Sequence, residues 1–132
     1  MSRVVMHAVV SLDGFIADAD DDVGPLFDWY FNGHVPLGEP GFGAVSEVSA
    51  EYTNPFWASV RATVMGRRLF DLTNGWDGKP PAGEHLVVVS HRPRPDGWHP
   101  EVPFASDVEQ GMLILEPGRA GHATPPRRSA PR

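Results

Sequence analysis

Apolar residues fall in short blocks along this chain, separated by stretches rich in glycine, proline and acid. Residues 3–11 (RVVMHAVVS) are apolar on both alternating faces apart from His7, which predicts a central strand covered on both sides. Ser11-Leu12-Asp13-Gly14 should end it in a turn, and Phe15-Ile16-Ala17 is a second short apolar step before the acids that begin at Asp18. Residues 62–66 (ATVMG) form another strand-like run that breaks at Gly66. Leu69, Phe70 and Leu72 then resume at helical spacing, with a stop expected at Gly75 and a loop from Trp76 to Gly83. Leu86-Val87-Val88-Val89-Ser90 is the clearest strand, continuously apolar and β-branched, hence buried and parallel. This strand, helix, strand order predicts an α/β fold.

Between these blocks, Leu26-Phe27-Asp28-Trp29-Tyr30-Phe31 is the most aromatic segment, which favours a core or subunit interface over a ligand wall. Residues 46–52 are compatible with a helix. Asn54 as N-cap with Pro55 in the first helical position predicts a new short helix running to Arg61. Gly41-Phe42-Gly43 resembles the start of a dinucleotide fingerprint, but it lacks the third glycine and does not follow a strand.

The chemistry concentrates where the strands end. A right-handed crossover between two parallel strands would put Gly66-Arg67-Arg68 and Ser90-His91-Arg92 on one carboxyl edge, where open α/β sheets bind ligands. Two strand ends would then offer cations and a hydroxyl to separated phosphates, and a nucleotide with a 2′-phosphate suits them better than NAD. Gly66 would allow close approach to the backbone, and the first turn of the following helix would add N–H donors. A plain turn with solvated arginines is the competing reading of the same corner.

Composition narrows the field. The chain has 132 residues, 41% hydrophobic and 21% charged, with a net charge of −6 and no cysteine. One globular domain is expected, without disulfides, thiolate metal sites or cysteine nucleophiles. No apolar run approaches membrane-spanning length and no signal peptide is visible, so a cytoplasmic location and no membrane partner are expected. The arginines beyond Glu116 leave the rest of the chain more acidic still, which argues against nucleic acid as a partner. Asp18, Asp20 and Asp22 have the spacing of the start of a calcium loop. Val23 stands where glycine is needed and Trp29 where the bidentate glutamate should be, so no metal is expected.

Ser11-Leu12-Asp13-Gly14-Phe15-Ile16-Ala17, Val64-Met65-Gly66-Arg67-Arg68-Leu69-Phe70-Asp71 and Val87-Val88-Val89-Ser90-His91-Arg92-Pro93 together resemble the dihydrofolate reductase-like proteins of the riboflavin-biosynthesis reductase type. The likeness covers roughly residues 3–110. It implies a mixed, mostly parallel sheet flanked by helices, NADPH as hydride donor, and a small-molecule substrate, heterocyclic or a ribosylamino-pyrimidine, as for a 5-amino-6-(5-phosphoribosylamino)uracil reductase. On this resemblance Gly66, Arg67, Arg68, Ser90, His91 and Arg92 would bind the cofactor. Ser11, Asp13 and Gly14 would border the substrate, with Asp13 as the catalytic residue that orients a hydroxyl or relays a proton. The competing reading of Asp13-Gly14 is a turn without chemistry. His7 is expected to be a satisfied core residue.

The resemblance also implies a helix after the strand near Phe104, a glycine-pair turn, another helix and closing strands. None of these is expected from residues 111–132, whose last part, from Glu116, is Pro/Arg-rich and expected to be disordered. A truncated or frame-shifted member is the resulting expectation, with open strand edges that a homodimer would cover. Its alternative function is a catalytically impaired remnant that at most binds a phosphorylated nucleotide.

Overall fold

The computed structural model describes residues 3–38 and 42–115, so the tail expected from residue 116 onward lies outside the described residues. The chain is mixed α/β and divides into two compact units, Met1–Trp57 and Ala58–Arg132. Among the described residues no helix is long and apolar enough to cross a membrane, and no group of His, Asp and Glu could hold a metal ion.

The first unit is organised by its aromatic segment. Pro25 opens a 3₁₀ stretch, Gly24–Phe31, that buries Tyr30 between Trp29 and Phe27, with ring centroids 4.1 Å and 5.3 Å away. Leu37 and Val45 complete this core from two short antiparallel strands, β1 (Val35–Leu37) and β2 (Gly43–Val45). Gly33 is required here, because any side chain would strike the backbone of Val45. Most of the aromatic stretch is thus core, while Phe31 stays exposed.

Helix α1 (Glu47–Ser59) is one helix where two segments were expected. The Ser46 hydroxyl accepts from the Ser49 N–H at 3.2 Å and starts it, which makes Asn54 and Pro55 interior positions. Asn54 donates its side-chain amide to the Pro36 carbonyl rather than capping.

Residues 3–11 do not form the expected central strand. They make no ladder, and Val4, Val5, Met6 and Val10 are exposed. Phe15 and Ile16 likewise stay exposed outside any strand. Strand propensity reflects fit to a pleated, covered surface, and no such surface receives these side chains. His7 is exposed, its ring 5.3 Å from Phe56, and Val9 alone of residues 3–11 joins the first unit's core cluster.

The second unit holds a parallel sheet. Strand β3 (Ala62–Gly66) runs directly into α2 (Arg67–Thr73), and β4 (His85–Val89) returns beside β3 in parallel register, with Ala62 opposite His85 and Gly66 opposite Val89. A short third strand, β5 (Phe104–Ala105), pairs with β4, so the order is β3-β4-β5. On one face Met65, Phe70, Leu86, Val88 and Val102 form the core, closed by Trp76, Trp98 and Phe104. Val87 fills the other face. There a helix expected to be missing is present: α3 (Val108–Ile114) lies close over Val87, Val89 and Ala105 because Gly111 has no side chain. A Cβ on Gly111 would sit 3.2 Å from the Val89 Cγ2 atom. β4 is therefore covered on both faces, which is what its unbroken apolar sequence requires.

Helix α2 ends at Thr73 rather than at Gly75, because Asn74 already takes a left-handed conformation. Gly75, Trp76 and Asp77 continue left-handed. The Asn74 amide holds this turn, donating to Asp77 at 2.7 Å and accepting from the Trp98 indole at 3.1 Å.

Candidate functional site

The parallel register brings the ends of β3 and β4 side by side, so residues 66–68 and 90–92 leave the same edge of the sheet. Arg67 is firmly held there. Its Nε donates to Asp71 Oδ1 at 2.6 Å, one helical turn on, and its NH1 donates to the Pro93 carbonyl at 3.0 Å. The guanidinium also lies 5.2 Å from the Phe70 ring centroid, and the side chain is only 19% exposed.

Arg92 arrives from the other strand end and donates NH2 to the second Asp71 oxygen at 2.9 Å, with its side chain 64% exposed. The hydrogen bond and charge of Arg67, with a smaller contribution from Arg92, hold the Asp71 carboxyl below its usual range. Ser90 shapes the turn: its hydroxyl accepts from the Arg92 N–H at 3.0 Å and donates to the Arg92 carbonyl at 2.9 Å. His91 and Arg68 are exposed on the same edge.

Gly66 has an ordinary extended conformation, φ −84° and ψ 168°, and a Cβ placed there would meet nothing within 4 Å. Neither the backbone nor local packing demands glycine. Its absence of a side chain leaves the strand end bare.

Beside Arg92 lies an open cleft of about 550 Å³, lined by residues 90–93 and by Phe104, Ala105, Ser106 and Gln110. Phe104 and Ala105 come from β5, Ser106 from the turn after it and Gln110 from α3, and the sequence reading missed them. Asp107 Oδ1 caps α3 by accepting from the Gln110 N–H at 2.8 Å, and the Gln110 side-chain oxygen accepts from the Ser106 N–H at 2.7 Å. Asp107 followed three residues later by Gln110 is a capping-box spacing, a signal that was present in the sequence. The backbone bond from Gln110, the Ser106 hydroxyl and the field of His91, in decreasing order, are among the causes that hold the Asp107 carboxyl below its usual range.

Ser11, Asp13 and Gly14 belong to the first unit and form a local turn. The Ser11 hydroxyl donates to Asp13 Oδ1 at 2.6 Å and accepts from the Phe15 N–H at 2.9 Å, while Gly14 supplies the positive φ of 91°. The Asp18 carboxylate accepts from the Asp20 and Asp22 N–H groups, each at 2.9 Å, so it serves the loop backbone.

The chain matches no family model, no curated protein and no solved structure.

Proposed function

We propose that the carboxyl edge of β3 and β4 binds the phosphates of NADPH, and that the chain is an NADPH-dependent reductase of the dihydrofolate reductase-like class, of the riboflavin-biosynthesis reductase type. One observation carries this reading: Arg67 and Arg92, which follow the ends of adjacent parallel strands, converge on Asp71 beside the cleft. Their two positive charges against the single negative charge of Asp71 leave an excess for an anion. Arg92 suits a phosphate monoester, because most of its five N–H donors are not spent on Asp71. The bare backbone at Gly66 supports close approach of the same ligand.

In this reading Gly66, Arg67 and Arg68 hold the cofactor phosphates, and Ser90, His91 and Arg92 hold the 2′-phosphate and adenosine side. NADPH, when bound, supplies the hydride. Asp13 orients a hydroxyl of a small heterocyclic or ribosylamino-pyrimidine substrate, with Ser11 fixing its carboxylate. A cytoplasmic setting and a homodimer over the outer edge of β3, which ladders only to β4 among the described residues, belong to the same proposal.

A second reading, nucleotide binding without turnover, is favoured by the Asp13 turn itself: it is exposed and has no strand behind it. Calorimetry with NADPH and NADH tests the binding. NADPH is expected to bind more tightly, and Arg92→Ala to abolish that preference; equal affinity for both nucleotides in the unaltered protein would overturn the assignment. Oxidation of NADPH in the presence of candidate pyrimidines separates turnover from binding alone.

A further inference from the structure

The two arginines at the sheet edge are held very differently, and that difference carries an inference about regulation of the site, one that rests on the nucleotide-binding reading. Arg67 is fixed by a carboxylate, a backbone carbonyl and an aromatic ring, and it is mostly covered. Arg92 is mostly exposed and its side chain is bonded to Asp71. Asp71 has two oxygens, one for each guanidinium, so losing Arg92 would still leave it bonded to Arg67. Exchange at Arg92 therefore leaves no unpaired carboxylate behind.

The geometry points to Asp71 as an internal stand-in for the ligand's phosphate: it holds Arg92 at the mouth of the cleft until an incoming phosphate monoester takes that arginine over. Arg67 stays on Asp71 throughout and keeps the strand end and α2 in place. Arg92 is the residue that moves, and Asp71 sets how strongly an anion must compete for it. Asp71 is a positioning residue, acting on the ligand only through Arg92.

Asp71→Asn separates the two roles. An asparagine oxygen can still accept from Arg67 Nε, while its amide presents a donor toward Arg92 and cannot hold it. Inorganic phosphate and adenosine 2′-phosphate are the probes. Their binding is followed by calorimetry in the unaltered protein and in Asp71→Asn, Arg92→Ala and the double variant, and by the Arg92 side-chain NMR signals in the two proteins that keep Arg92. Asp71→Asn is expected to tighten both probes about two- to fivefold, the range set by an exposed ion pair. That gain should vanish in the Arg92→Ala background. Unchanged or weaker binding in Asp71→Asn would overturn the inference, as would a gain that persists without Arg92, since Asp71 would then act only through its charge. Failure of phosphate to shift the Arg92 signals in both the unaltered protein and Asp71→Asn would overturn it as well. If inorganic phosphate behaves as expected while neither adenosine 2′-phosphate nor NADPH binds, the exchange at Arg92 stands and the nucleotide assignment falls.

Discussion

Arg67 and Arg92 bond opposite oxygens of one carboxylate, Asp71, yet only Arg67 is built into the protein. Arg67→Ala should lower stability by about 1–3 kcal/mol, through loss of a charged donor to the Pro93 carbonyl and of packing on Phe70. Arg92→Ala should leave the thermal midpoint unchanged and act on ligand affinity alone. Thermal unfolding of both variants checks the contrast, and equal losses would contradict it.

Gly66 offers a cleaner separation of structure from binding. Its φ of −84° is open to any residue and the space beside it is empty. Gly66→Ala should therefore stabilise the fold by about 0.4–1 kcal/mol by restricting the unfolded chain. The same methyl group should weaken NADPH binding by crowding the phosphate edge. A variant that is more stable and binds NADPH undiminished would remove Gly66 from the site.

Equivalent-looking valines should behave differently according to where the fold puts them. Val87 is fully buried in β4, so Val87→Ala should cost about 2 kcal/mol in lost burial and residual cavity. Val5 is exposed outside any strand, so Val5→Ala should change stability by less than about 0.5 kcal/mol. Chemical denaturation decides this, and a core-sized loss at Val5 would restore the central strand expected over residues 3–11.

Acid should weaken the second unit in a defined direction. Asp71, Glu101 and Asp107 are all held below the ordinary carboxylate range: Asp71 chiefly by Arg67, Glu101 by its own backbone N–H and then His99, and Asp107 by the Gln110 N–H. A lowered native pKa means that the unfolded chain takes up the proton first as pH falls. Their contribution is complete above about pH 4, the ordinary carboxylate range, and is lost as pH drops below it. Urea unfolding between pH 7 and pH 3 should show stability falling in the acid limb, less steeply in Asp107→Asn.

Local sequence was sufficient for the β3-α2-β4 arrangement. An unbroken β-branched run such as Val87-Val88-Val89 can satisfy burial on both faces only as a covered strand, and a helix between two such strands returns the chain in parallel. The shared carboxyl edge carrying Arg67 and Arg92 follows from that topology. The tertiary structure decided what depends on partners far along the chain. Residues 3–11 have the apolar pattern of a strand but no ladder, because pattern cannot supply an edge to pair with. The closeness of α3 was set by the missing side chain of Gly111 against Val89, and the cleft by where the turn after β5 delivers Ser106 and α3 delivers Gln110. That Asp71 stands between the two arginines is likewise a fact of three dimensions: the one-turn spacing to Arg67 is visible in the sequence, whereas the approach of Arg92 exists only once β4 lies beside β3.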